Sequence, residues 1–230
     1  MRQGWFLSPI LFNIYSEEIF SEALSGLEVG IRINGEYLNN IRYADDTVLL
    51  AANLPDMMCL VDRVNLINAE YGLDIIIEKT KYLVISRTST PGRLLLDSRV
   101  TERVGKFKYR GITLYDQWEP DKEIRTRIEM ARATFSKMKH RLCCKDLSLA
   151  TKIRTVECYV FPVLMYGMEA WTLTKVLEKK IEAFEMWIYR RLLKISWVDH
   201  VTNDEVLRRV GKNIELLLNI KKRKLDTLVM

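Results

Sequence analysis

Ile41-Arg42-Tyr43-Ala44-Asp45-Asp46-Thr47-Val48-Leu49-Leu50-Ala51 reads as a tight β-hairpin carrying two acids near its tip. Ile41 to Ala44 enters as one strand, and Thr47 to Ala51 leaves as a second, β-branched and aliphatic. Adjacent carboxylates repel each other unless a cation sits between them. Mg²⁺ is the natural candidate, a hard ion held by one or two carboxylates together with phosphate oxygens. Such pairs serve two-metal phosphoryl transfer, in which one ion activates an attacking 3′-hydroxyl and the other stabilises the leaving pyrophosphate. Acidic turn tips are also common in solvated loops, so the surrounding sequence has to decide.

Upstream, Ser8-Pro9 looks like a helix start, with serine as the cap and proline at the first helical position, followed by a helix over 11–24. Ile31-Arg32-Ile33 begins a strand, and Asn34-Gly35 is a strong two-residue hairpin signal. Downstream, Pro55 opens a helix to about Glu70 with Met58, Val61, Val64 and Ile67 on one stripe, and Gly72 is placed to end it. Short strands are expected at 75–77 and 82–86, with weaker ones at 94–96, 107–109 and 112–114. After 116–120 the strand signals stop. Residues 121–142, 149–166 and 173–195 read as helices, the first with its Arg and Lys off the apolar stripe and the second distorted at Pro162. Thr202-Asn203-Asp204-Glu205 is a capping-box signature for a fourth.

The chain has 230 residues, 48% hydrophobic and 29% charged, with 10 Gly and 5 Pro, which excludes a disordered chain and indicates a folded, helix-rich globular one. With helix and strand signals alternating over the first 115 residues and helices after them, the expected class is α+β. Residues 1–100 hold 9 basic and 13 acidic side chains, a net of −4. Residues 101–154 hold 14 and 7, a net of +7, and 155–230 hold 13 and 10, a net of +3. Carboxylates in one part followed by a basic stretch suit metal ligands beside a nucleic-acid-binding arm. Lys137, Lys139, Arg141, Lys145, Lys152 and Arg154 are the candidate phosphate contacts. Cys59, Cys143, Cys144 and Cys158 show no zinc spacing and read as reduced thiols. No apolar run reaches the roughly 20 residues that span a bilayer, and the N-terminus has no secretory h-region, so an intracellular protein, nuclear or cytoplasmic, is expected.

Arg2-Gln3-Gly4-x-x-Leu7-Ser8-Pro9 followed by Tyr43-Ala44-Asp45-Asp46 resembles the reverse transcriptases of non-long-terminal-repeat (LINE-type) retrotransposons. Further similarities run in the same order. Tyr71-Gly72-Leu73 through Lys79-Thr80-Lys81 looks like the next palm motif, and Phe107-Lys108-Tyr109-x-Gly111 looks like the primer-grip hairpin. The segments Tyr166 to Leu173, Phe184 to Arg191 and Ser196 to Asp199 resemble the post-thumb region of such elements. The resemblance implies a partial palm over 1–117, a thumb-like helical region over 118–170 and a helical post-thumb region over 171–230. It implies Asp45 and Asp46 as catalytic ligands of Mg²⁺ or Mn²⁺, and Lys79 as proton donor to pyrophosphate. Arg2, Gln3, Gly4, Tyr43 and Gly111 would face the nucleotide, template or primer. The expected partners are an RNA template, a DNA primer and dNTPs, with no membrane.

The resemblance also implies an aspartate on an earlier palm strand, and fingers, ahead of Arg2. The 230 residues are therefore expected to be a fragment inactive alone, with an exposed sheet edge, apolar surface and poor solubility. Trp5-Phe6, Ile76 and Arg110 depart from the usual motif residues. Two other readings stay open. One is a non-catalytic nucleic-acid-binding remnant. The other is a helical protein-interaction module over 120–230 with Trp171, Trp187 and Trp197 as anchors.

Overall fold

The computed structural model describes residues 5–44, 46–86, 92–117 and 120–229. Its two compact units comprise residues 1–107 with 114–117, and residues 108–113 with 118–230.

The first unit mixes two long helices with short strand pairs, an α+β arrangement. Helix α1 (Ser8–Leu24) has Pro9 in its first turn, and Leu7 rather than Ser8 stands at the cap position. Strands β1 (Ile31–Ile33) and β2 (Glu36–Leu38) pair antiparallel around Asn34 and Gly35, both at positive φ, as the Asn-Gly dipeptide requires. Strands β3 (Asn40–Tyr43) and β4 (Asp46–Leu49) form the second antiparallel hairpin. Helix α2 (Leu54–Glu70) starts on Asn53, whose side chain accepts the Asp56 amide, and is followed by Gly72 at φ +70°.

Helices α1 and α2 pack together through Ile19, Phe20, Ala23, Val64 and Ile67, with Leu49 of β4 against the same cluster. Val61 of α2 joins Tyr82, Leu94 and Leu96 in a second cluster. Residues 75–77 form no strand. Ile75 and Ile77 face the apolar clusters from an unpaired segment that ends in a turn, so their alternation reports burial rather than a ladder. The later strands are short: β5 (Lys81–Tyr82), β6 (Leu95–Leu96), β7 (Arg99–Val100) and β8 (Glu102–Arg103). Strand β5 pairs parallel with β8, whereas the other pairs with a described register are antiparallel.

The last hairpin, β9 (Lys106–Tyr109) and β10 (Ile112–Tyr115), has its tip grouped with the helical unit. That unit begins with α3 (Pro120–Leu142). Helix α4 (Leu149–Tyr159), capped by Ser148, breaks at Val160, and α5 (Phe161–Met165) restarts with Pro162 in its first turn. A proline lacks the amide that would continue the ladder, which is why one apolar stripe becomes two helices. Helix α6 (Lys175–Leu192) follows, capped by Thr174. Helix α7 (Asn203–Val210) is capped by Thr202, whose hydroxyl accepts the Glu205 amide. Glu205 itself turns to Arg208 and Arg209, whose hydrogen bonds hold its carboxyl down at about 2.

Helix α8 (Leu216–Val229) is not evident from its own sequence. Its first amides, from Glu215 and Leu216, donate to the carboxylate of Glu185 on α6, at 3.1 Å each. The core here includes Ile124, Phe135, Ile153, Leu164, Leu177, Ile181, Phe184, Ile188, Val206 and Ile220. Helix α3 packs against α4, α5 and α6, and α6 against α7 and α8. All four cysteines are free thiols, and no helix among the described residues is long and apolar enough to cross a membrane.

Candidate metal and nucleic-acid sites

The β3–β4 hairpin sets Tyr43 directly across from Asp46, with Ala44 at φ +53° in the turn between them. Asp46 is exposed, and its carboxylate meets no cation among the described residues. Tyr43 is 54% exposed. Asp45, Arg2, Gln3 and Gly4 lie outside the described residues.

What fixes the hairpin is Arg42, a residue the sequence reading passed over. Alternation along β3 turns Asn40 and Arg42 inward and leaves Ile41 and Tyr43 exposed. The Arg42 guanidinium donates to the Ser16 carbonyl (3.3 Å) and to Asn40 Oδ1 (3.0 Å), and pairs with Glu17 at 2.9 Å. It also lies over the Phe20 ring, 4.9 Å from the centroid. One cation thus ties the acidic hairpin to α1, while Leu49 packs the exit strand against the helix pair. Lys79 sits in the turn after α2, its amide donating to the Ile76 carbonyl at 3.1 Å. Its ammonium is exposed and no described contact joins it to Asp46.

Gly111 lies at the tip of the β9–β10 hairpin, at φ +82°. Its carbonyl accepts from Arg127 Nη2. Arg127 pairs through Nε with Glu123 at 2.9 Å, both side chains being buried, and its guanidinium stacks 4.8 Å from the Tyr166 ring centroid. Glu123 takes the Thr113 amide at 3.4 Å, and the Tyr166 hydroxyl donates to the Arg110 carbonyl at 2.6 Å. A buried ion pair stabilises only when its remaining donors and acceptors are used, and here they are used on the hairpin backbone. The Arg and Lys residues of α3 were expected off the buried stripe, but Arg127 is buried, together with Glu123. Their four-residue spacing, an acid before a base on one face, is the signal that could have found them.

Lys137, Lys139, Arg141, Lys145 and Arg154 are exposed. Lys152 is not. It is 7% exposed and its ammonium donates to the Cys144 carbonyl at 2.5 Å, so it holds the chain between α3 and α4 instead of facing solvent. Trp171 is buried, Trp187 is half-buried against Phe135 and Phe184, and the Trp197 side chain lies outside those described. Trp171 therefore serves the core rather than a free anchor.

Residues 1–114 match the family described as Reverse transcriptase (RNA-dependent DNA polymerase). An uncharacterized transposon-derived protein of Caenorhabditis elegans is 31% identical over 206 residues, covering 85% of this chain and 72% of the relative. The matched family segment holds both the β3–β4 hairpin and most of the β9–β10 hairpin, and the relative's similarity spans most of the chain. The chain belongs to the reverse transcriptase family, as a retrotransposon-derived protein.

Proposed function

We propose that this chain is an RNA-directed DNA polymerase domain by descent, of the non-long-terminal-repeat (LINE-type) kind, which holds a primer–template without extending it unaided. The observation that carries this reading is the exposed Tyr43–Asp46 pair at the turn of a hairpin inside the family match. Asp45 and Asp46 are the proposed ligands of Mg²⁺ (Mn²⁺ is the substitute). The donor chemistry fits: aspartate oxygens are hard ligands, and the Asp46 carboxylate is engaged by no described cation. When bound, the ion would supply Lewis-acid stabilisation of charge developing on phosphate oxygens.

The other roles belong to the chain's own side chains. Tyr43 offers an aromatic face to a sugar or base. Gln3, beside Arg2, donates and accepts hydrogen bonds, and Gly4 leaves room for template or dNTP. Lys79 is the proposed proton donor to pyrophosphate. Gly111, at a tip locked by Arg127, would steady the primer strand. In this reading 1–117 is palm, 118–170 thumb-like and 171–230 post-thumb. Exposed Lys137, Lys139, Arg141, Lys145 and Arg154 would meet backbone phosphates.

Primer extension with Mg²⁺ on poly(rA)–oligo(dT), run beside Asp45→Asn/Asp46→Asn, tests both halves. The expected result is salt-sensitive binding by both proteins and extension by neither. Extension lost only in the variant would overturn the claim of inactivity and keep the metal ligands. Absence of binding would sink the whole reading in favour of a protein without a nucleic-acid partner.

A further inference from the structure

The sequence reads all four cysteines alike, as reduced thiols, but the fold separates them. Cys59 and Cys158 are exposed, whereas Cys143 is half-buried in the wall of a cleft of about 550 Å³ between the C-terminal ends of α3 and α6. Among the described residues that line this cleft, Lys139, Arg190, Arg191 and Lys194 are cations and none is an acid. The carboxylate of Asp199, three residues beyond the lining Ser196, already accepts the Ser196 amide at 2.6 Å. Cations near helix C-termini meet the negative end of the helix dipole, which accounts for basic residues here but not for a thiol set among them. Like charges that converge on one opening repel each other unless an anion shares it.

Cys143 is held from two sides. Its amide donates to the Lys139 carbonyl at 2.9 Å, which seats it at the end of α3, and its thiol donates to the Arg191 carbonyl at 3.6 Å, on the end of α6. Cys144, next in the chain, turns its thiol to the Arg141 carbonyl at 2.9 Å and does not line the cleft. The cations are fixed as well. Trp187 is set edge-on to Phe135, with centroids 5.3 Å apart, and stacked on Phe184 at 6.0 Å. Arg191 lies over the indole at 4.4 Å, so its guanidinium is held by the ring rather than swinging in water. Arg190 closes one side, donating to the Val201 carbonyl (2.7 Å) and Asn203 Oδ1 (2.9 Å). Lys194 stands at φ +58° in the turn after α6, and its side chain is exposed and meets no described acid.

We propose that Cys143 is a redox modification site, at which Arg191 and Lys194 recruit glutathione disulfide, an anionic peptide disulfide, and one glutathione is left joined to the thiol. At neutral pH this disulfide carries more carboxylates than ammonium groups, so a cationic cleft concentrates it beside the thiol in its wall. In the step, the Cys143 thiol gives its proton to water and its sulfur attacks one sulfur of the disulfide. The bond from Cys143 to glutathione forms as the bond between the two glutathiones breaks, and the departing thiolate takes up a proton. Cys143 is oxidised, the released half is reduced, and no other oxidant is required. The joined glutathione then sets its carboxylates against the cationic rim and its methylene groups against Trp187 and Ile195. A reducing compartment keeps Cys143 free at rest, so the adduct follows a rise in glutathione disulfide and is removed by the reverse exchange. All of these residues belong to the helical unit, and the chemistry makes no use of Asp45 and Asp46.

The test is incubation of the whole chain with glutathione disulfide at low ionic strength, with tandem mass spectrometry of its peptides reading the adduct at each cysteine over time. Exposure alone puts Cys59 and Cys158 first. The cleft reverses that order: Cys143 is expected to react about tenfold faster than either, the size of a modest electrostatic gain in encounter rate. High salt should shrink this lead. Cystamine, a cationic disulfide that the same rim repels, should abolish it, and this comparison on the wild-type chain needs no variant. Lys194→Asn removes one rim charge, asparagine being tolerant of the left-handed conformation at 194. It should slow Cys143 about threefold while Cys59 and Cys158 keep their rates. Cys59 or Cys158 leading with glutathione disulfide overturns the proposal. So does an equal Cys143 lead with cystamine, which would assign selectivity to the thiol and not to the cations around it. A disulfide between Cys143 and Cys144 in place of the adduct overturns it too.

Discussion

At Arg127 one guanidinium holds a carboxylate, a backbone carbonyl and an aromatic ring inside the helical core. Arg127→Ala should destabilise the chain by about 3–5 kcal/mol, because it strands Glu123 as an uncompensated buried charge. Urea denaturation followed by helical circular dichroism measures this, and Arg127→Met/Glu123→Leu should recover most of the loss. Glu185 supplies a pH test. Burial, with 0% of the residue exposed, raises its pKa, while amides of Glu215 and Leu216 and the Tyr189 hydroxyl pull the other way. The same burial, followed by the Glu185 charge, raises the Tyr189 phenol. A carboxyl raised in the folded state binds protons there more readily than in the unfolded chain. Its contribution is thus fully present below the unfolded value of 4.5 and is lost as pH rises through the folded value. The melting-temperature advantage of wild type over Glu185→Gln should shrink as pH rises above 4.5, and a pH-independent gap would contradict the raised pKa. Glu185 was not legible in the sequence, where a charge on a helix counts as surface until its partner in another element is known, whereas Glu123 and Arg127 left only their four-residue spacing as a sign. The Tyr43-to-Asp46 turn was legible because its chemistry sits on consecutive residues.

Elements show the same division between local and distant causes. Asn34-Gly35 and Pro162 act through their own backbone, so the hairpin and the α4–α5 break follow from the sequence. The N-terminus of α8 is held by Glu185, thirty residues upstream of Glu215, and the β5–β8 pair joins segments about twenty residues apart, so neither leaves a local mark. The β9–β10 hairpin turns on two glycines that can be compared directly. At Gly111, φ is +82° and an added Cβ would meet the edge of Tyr166, Cε1 at 3.6 Å and the hydroxyl at 3.9 Å, in ordinary contact. Gly111→Ala should therefore cost only the left-handed strain of about 1–2 kcal/mol. At Gly167, φ is +71° and the added Cβ would fall 2.6 Å from Ile112 Cδ1 and 3.1 Å from Cγ1, so strain and clash combine. Gly167→Ala should lose about 2–5 kcal/mol and shift the hairpin through Ile112. Equal losses for the two variants in chemical denaturation would mean that Ile112 simply turns aside.

Across the whole molecule, net charge changes sign along the chain, from −4 over residues 1–100 to +7 over 101–154. Uncovered apolar surface predicts poor solubility. The first half of α1 presents such surface: Ile10, Leu11 and Ile14 are exposed, Ile14 by 65%, with Trp5 and Phe6 just before them. Ile19, Phe20 and Ala23 in the second half are buried against α2, so one helix carries a covered and an uncovered apolar stretch. Exposed contiguous apolar side chains favour association, because removing each square ångström from water gains about 25 cal/mol. The purified chain should therefore run larger than 27.0 kDa in sedimentation at micromolar concentration. Ile10→Lys/Ile14→Lys should restore a monomer, since lysine keeps helix propensity and both positions already face water. A basic protein can also associate through residual nucleic acid, so the comparison is made after nuclease treatment and in high salt, where charge-driven assembly dissolves and apolar assembly strengthens. Association that persists there and disappears in the double variant assigns the cause to α1. A wild-type chain that sediments as a monomer under the same conditions would show that the exposed stretch is too small to hold two copies together.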